Sequence, residues 1–131
     1  MGKASVLEIA DRLHSTLWGG AGVSIDVESG DSPTGGYMVS TPGAELRTRT
    51  VPPLALIRAW LESVALPECA LLRDGGFRPY IGGWVDNGHY YIDVSVCVGR
   101  EEAARRVGRE WRQVAIWDVT RGEAIALQPG E

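Results

Sequence analysis

Asp93 is the side chain with the most chemical promise in this chain, because of the residues that must surround it. It lies in the run Tyr90-Tyr91-Ile92-Asp93-Val94-Ser95, and Asn87-Gly88 joins that run to Tyr80-Ile81-Gly82-Gly83-Trp84-Val85-Asp86. Asn-Gly between two alternating apolar runs is the strongest short-range signal for a two-residue β-hairpin. With Asn87 and Gly88 at the turn, Trp84 falls opposite Tyr91, Gly83 opposite Ile92 and Gly82 opposite Asp93. Side chains alternate across a strand. One face therefore collects Ile81, Val85, Tyr90, Ile92, Val94, Val96 and Val98, and reads as the core side. The other collects Tyr80, Trp84, Tyr91, Asp93, Ser95 and Cys97, with Gly82 leaving a gap beside Asp93. Aromatic rings offer rigid contact area, a carboxylate gives orientation, and a missing side chain admits a partner. Tyr80, Gly82, Trp84, Tyr91 and Asp93 are accordingly the candidate binding residues. The plainer account, and the commoner fate of such residues, is a cross-strand aromatic pair with Asp93 capping a loop or pairing with an arginine.

Other constellations are weaker. A strand from Val23 to Glu28 would put Ser24, Asp26 and Glu28 on the side away from the core. Asp118 could join Asp93 if both faced the same way, and paired carboxylates can hold a metal or act as acid and base. Nothing else in the chain supports such a site, so no catalytic residue, metal or cofactor is expected. Cys97 and His89 are eight residues apart on one extended strand, more than about 20 Å, and cannot form a dyad. An inert buried thiol is the better reading of Cys97. Arg105, Arg109 and Arg112 form a helical stripe that could meet phosphates, but Glu101, Glu102 and Glu110 stand at i±4 positions and describe an internally paired surface. Gly19-Gly20-Ala21-Gly22 follows a helix instead of leading from a strand into one, so it is no phosphate loop.

The elements that must position these residues follow from periodicity and punctuation. Ser5 and Glu8 form a capping box for a first helix with a stripe of Val6, Ala10, Leu13 and Leu17, and Gly19-Gly20 ends it. Val23 to Glu28, Tyr37 to Thr41 and Leu46 to Val51 read as a three-strand meander broken by turns at 31–36 and 42–43. Pro52-Pro53 opens a second helix whose apolar face is Leu54, Ile57, Trp60, Leu61 and Val64, and Pro67 is expected to end it. Residues 68–78 read as a loop holding one turn of helix around 70–72. After the hairpin, Glu101 begins a third helix to about Gln113, with Ala103, Ala104, Val107 and Trp111 inward. A strand at 114–119, a short terminal strand at 124–127 and frayed residues 129–131 complete the chain. Strand, helix, strand over 90–119 suggests a βαβ crossover with parallel and adjacent strands. The expected fold class is α+β: a mixed, mostly antiparallel sheet with about three helices packed mainly on one face.

Composition narrows the function. The 131 residues suit a single domain, 1–131, and 44% hydrophobic with 23% charged residues is enough apolar material for one core. A net charge of −4 argues against nucleic acid as a partner. There is no apolar run of membrane-spanning length, and Met1 to Leu7 lacks a secretory pattern. Cys69 and Cys97 have no metal-ligand spacing and are expected to be reduced thiols. A soluble protein of the cytoplasm is the expectation. One lysine against twelve arginines is the bias of a GC-rich genome.

The segments Gly82-Gly83-Trp84-Val85-Asp86, Tyr90-Tyr91-Ile92-Asp93-Val94-Ser95 and Gln113-Val114-Ala115-Ile116-Trp117-Asp118 together resemble a family of small actinobacterial and actinophage proteins. Their shared pattern is GGWxD, YYxDVS, a helix, then QxAIWD, and Gly36-Tyr37-Met38-Val39-Ser40 resembles an earlier element of it. The resemblance covers about half the chain and implies an accessory gene product of phage or mobile-element origin acting inside the cell. It implies no particular activity. Non-enzymatic binding of a host or phage protein through the aromatic and acidic face is the leading expectation. A small molecule or nucleotide held on that face, with or without catalysis, is the alternative, and a homodimer through an apolar surface is a third reading.

Overall fold

Ser5 does cap the first helix. Its hydroxyl accepts from the Glu8 N–H while the Glu8 carboxylate accepts from the Ser5 N–H, and helix α1 runs Val6–Trp18. In the computed structural model, which describes residues 5–127, β1 (Val23–Asp26) and β2 (Tyr37–Thr48) follow. Next come α2 (Leu54–Trp60), a π-helical stretch (Leu61–Ala65) and α3 (Leu66–Asp74). The hairpin strands β3 (Pro79–Asp86) and β4 (His89–Val98), helix α4 (Glu101–Glu110) and strands β5 (Ala115–Asp118) and β6 (Glu123–Ala126) complete the order. The fraying expected at 129–131 lies outside the described residues.

The sheet has six strands in the order β1-β3-β4-β2-β5-β6, and every neighbouring pair is antiparallel. The α+β class and the antiparallel character are as expected. The crossover is modified: β4 and β5 run parallel to each other, but β2 lies between them instead of their being adjacent. The expected meander is corrected as well. β1 pairs with β3 and not with β2, and residues 37–48 form one strand. The register jumps between Ser40, opposite Ser95, and Glu45, opposite Asp93, so residues 41–44 face Val94 alone. Pro42 and Gly43 thus belong to a bulge, which lets a strand carry a proline it could not pair.

Pro67 does not end the second helix. An interior proline removes a hydrogen bond and crowds the carbonyl four residues back. Here the helix widens first: the Leu66 N–H donates to the Leu61 carbonyl, five residues back, and Pro67 falls in the first turn of α3, where its missing N–H costs nothing. The backbone stays right-handed helical at Leu61, Ala65 and Leu66, so α2, the π turn and α3 form one rod. Leu61, Ala65, Cys69 and Leu72 are all buried along it.

The helices occupy one face of the sheet. Leu13 and Leu17 of α1 lie against Gly83, Gly108 of α4 lies against Ile116, and Ile57, Trp60 and Leu61 join the cluster that holds Ile81, Ile92, Val94 and Val96. Those last four are fully buried, as the hairpin alternation requires. Helix ends follow one pattern. After α1, the Ala21 N–H donates to Thr16 and the Gly20 N–H to Leu17, with Gly20 left-handed at φ 75°. Helix α4 ends in the same way, but Arg112 holds the left-handed position at φ 57°. A side chain there costs about 1–2 kcal/mol, part of which glycine returns in unfolded-chain entropy. Arg112→Gly should therefore stabilise the protein by about 0.5–1 kcal/mol in urea denaturation, and a loss of stability would contradict the strain assigned to that position.

Candidate functional site

The face away from the helices is built by register. Across β1, β3, β4 and β2, one row reads Ser24, Gly82, Asp93, Glu45, and the next reads Asp26, Tyr80, Ser95, Ser40. On the other side of the first row stand Trp84, Tyr91 and Arg47, and farther along the strands Cys97, Met38 and Trp117 continue the face. The hairpin register matches the sequence expectation pair for pair. Asn87 and Gly88 both have positive φ, 50° and 78°, as the two-residue turn demands.

Trp84 and Tyr91 stack with ring centroids 4.1 Å apart and planes 11° from parallel. Trp84 remains 39% exposed, so the pair is a surface feature held in one geometry. Asp93 lies beneath it, 6% exposed. One carboxylate oxygen, Oδ2, accepts from the Ser40 hydroxyl at 2.9 Å. Asp93 therefore caps no loop and pairs with no arginine; it is held by Ser40 of β2, while Tyr91 fixes the indole by stacking on it. Burial pushes the Asp93 carboxyl up to about 6, while the Ser40 hydroxyl and the neighbouring Trp84 indole hold it down and the Glu45 charge raises it.

Gly82 sits beside Asp93 as expected, and a Cβ there would stand 3.1 Å from Asp93 Oδ1, 3.5 Å from the Val23 carbonyl and 3.7 Å from Ser24 Oγ. Tyr80 is corrected as a contact residue. It is 6% exposed, and burial raises its phenol. The loop 27–36 closes over that end of the face, with the Cys97 thiol donating to the Gly35 carbonyl at 3.4 Å and the Asp26 N–H donating to the Asp31 carbonyl at 2.8 Å. Three arginines tie the region down: Arg12 donates to the Gly30 carbonyl, Arg73 pairs with Glu28, and Arg78 Nε donates to buried Asp26 at 2.6 Å. Tyr80 and Asp26 are thus internal supports, and the accessible part of the face is the end around Trp84 and Tyr91.

Asp118 does not join Asp93. It stands opposite Tyr37, which pairs with Val98 on the helix side, whereas Trp117 is opposite Met38 on the open side. Its carboxylate accepts from the Arg121 N–H at 3.1 Å and caps the β5–β6 turn. Cys69 and Cys97 are free thiols, and burial pushes Cys69 up to about 12, far from a reactive thiolate. On α4, Arg105 pairs with Glu101 at 2.9 Å, as the i,i+4 spacing indicated, whereas Glu102 pairs at 3.5 Å with Arg100, which precedes the helix, and not with Arg106. Among the described residues, no group of three or more His, Cys, Asp or Glu is placed to hold a metal ion, and no helix is long and apolar enough to cross a membrane.

Sequence reasoning missed Ser40, Glu45 and Arg47, which β2 brings beside Ser95, Asp93 and Tyr91. Their alternation with Val39, Leu46 and Thr48 was visible, but nothing local assigns β2 as the neighbour of β4. No protein-family model matches the chain, and no curated protein or solved structure matches it either.

Proposed function

We propose that the chain is a non-enzymatic accessory protein of phage or mobile-element origin that binds a host or phage protein in the cytoplasm, using the open sheet face around Trp84 and Tyr91. The observation that carries this reading is an exposed tryptophan held in one geometry, its indole stacked on Tyr91 with ring centroids 4.1 Å apart beside buried Asp93. A side chain whose rotamer is fixed before contact loses little entropy on binding, and tryptophan and tyrosine dominate the energies of protein interfaces. Asp93 serves such a platform as a fixed acceptor. The resemblance of the Gly82–Asp86, Tyr90–Ser95 and Gln113–Asp118 segments to small actinobacterial and phage proteins supports an accessory role.

The test is capture of partners by the tagged chain from actinobacterial lysate, with Trp84→Ala in parallel. Trp84 packs on the open side, so the variant should keep the native spectrum while losing at least about 2 kcal/mol of affinity, roughly thirtyfold, for a stoichiometric protein partner. A partner retained at full affinity by the folded variant would move the interface elsewhere. Failure to retain any partner with the wild-type chain would overturn the reading.

A further inference from the structure

β1 and β2 follow one another in the chain but lie on opposite sides of the β3–β4 hairpin, in the order β1-β3-β4-β2. The segment that joins them has to pass both hairpin strands, and it does so on the open face. At its β1 end the Asp31 carbonyl accepts from the Asp26 N–H at 2.8 Å. At its β2 end the Gly35 carbonyl accepts from the Cys97 thiol at 3.4 Å. Tyr80 of β3 lies between these points, with Asp26 opposite it on one side and Ser95 on the other, and is 6% exposed. Val27, 4% exposed, pins one end of the crossing. Gly36 pins the other, its carbonyl accepting from the Val119 N–H at 3.1 Å.

Between those pins, Glu28-Ser29-Gly30-Asp31-Ser32-Pro33-Thr34-Gly35 brings no apolar side chain other than Pro33. Polar contacts hold it instead. Glu28 pairs with Arg73, Arg12 donates to the Gly30 carbonyl, and the Glu28 and Gly30 N–H groups donate to the Asp26 carboxylate and carbonyl, each at 2.8 Å. Such groups can exchange a protein partner for water, so releasing them costs far less than opening the core, and segments held in this way are the ones that open locally. We infer that residues 28–35 are a strap that opens as a unit while the rest of the fold stays intact, uncovering Tyr80 and Cys97 and so lengthening the face that begins at Trp84 and Tyr91. The opening stands on the contacts of the strap; only its use, admitting a partner to the Tyr80 end, rests on the protein-binding reading above. A partner that needs that end binds the open form alone, and its apparent affinity is reduced by the open fraction.

The two cysteines make the opening measurable, because Cys97 lies under the strap and Cys69 is fully buried in the core. The experiment is labelling of the full chain with dithiobis-nitrobenzoate at urea concentrations below the unfolding transition, with Cys97→Ser to assign the faster phase. Cys97 should react at least about a hundredfold more slowly than in the unfolded chain, and at least about a hundredfold faster than Cys69. Its rate should change little with urea, since a strap exposes little surface, whereas that of Cys69 should rise steeply. Arg12→Gln should speed Cys97 about tenfold and Glu28→Ala, which removes a half-exposed pair, about threefold, with Cys69 unchanged. The Asp26 amide, at the far end of the strap, should show in hydrogen exchange the same opening equilibrium as the Cys97 thiol. Cys97 labelling as slow as that of Cys69 would overturn the strap, because the segment would then open only with the whole fold. Labelling as fast as in the unfolded chain, or at one rate in wild type and both variants, would overturn it too, and unequal equilibria at the two ends would show that it is no single unit. Partner capture by wild type but not by Trp84→Ala is read separately, so either reading can fail alone.

Discussion

Asp93→Asn should make the protein more stable than the wild type at pH 7.5, by about 3 kcal/mol, and the advantage should shrink as the pH falls. Burial pushes the folded carboxyl up to about 6 from its ordinary 3.8, because it disfavours the charged form. Below 3.8 the group is protonated in both the folded and unfolded chains, and no penalty exists. As the pH rises, the unfolded chain releases the proton first, so stability is lost progressively until the folded carboxyl has ionised as well. At about 1.4 kcal/mol per unit, the full loss is about 3 kcal/mol, of which about 2 kcal/mol falls between pH 4.5 and 7.5. Asparagine carries no charge to bury, and its carbonyl can still accept from the Ser40 hydroxyl. Urea denaturation of both proteins across that range is the measurement. A difference between them that does not change with pH would mean that Asp93 ionises in the native state as freely as on an exposed strand.

The second large effect concerns the helix face behind this site. Leu13 is fully buried, and its Cδ2 lies 3.0 Å from where a Cβ on Gly83 would stand, with both Leu17 methyls at 3.6 Å. Leu13→Ala should cost about 3–4 kcal/mol through lost transfer energy and the cavity left behind. Gly83→Ala alone should cost about 1–2 kcal/mol, because its methyl overpacks the contact between α1 and β3. Combined, the two should not add. The new methyl fills part of the cavity, so Gly83→Ala should be neutral or stabilising in the Leu13→Ala background, a coupling of about 1–3 kcal/mol. Additive losses in urea would show that α1 does not bear on Gly83 as closely as the structure has it. Because Gly83 is followed by Trp84, this contact also sets the height of the strand that carries the aromatic platform.

What was legible in the sequence was local. The Asn87-Gly88 turn fixed the β3–β4 register and with it the pairing of Trp84 with Tyr91 and of Gly82 with Asp93, since a two-residue turn leaves one register and alternation then assigns every face. The Ser5–Glu8 capping box marked the start of α1 in the same way. The helical stripe Leu61, Ala65, Cys69 and Leu72 was also present in the chain, but a rule about proline outweighed it. The rule fails here because a π turn moves the crowded carbonyl away before Pro67, and the buried stripe supplies the reason to do so.

The rest depended on contacts between residues far apart in the chain. That Trp84, Tyr91 and Asp93 stand on one exposed face followed from the hairpin alone. That Ser40 holds the Asp93 carboxylate, that Gly22 lies close beside Gly83 and Trp84, and that Tyr80 lies under the loop 27–36 followed only from the order β1-β3-β4-β2. Asp118 was assigned away from Asp93 by its place opposite Tyr37, a pairing separated by some eighty residues of chain. Register within a hairpin is set by two turn residues and the period of a strand. Strand order is set by how the apolar faces of α1, the rod from Leu54 to Asp74, and α4 can be buried together, and no short stretch of sequence encodes that joint requirement.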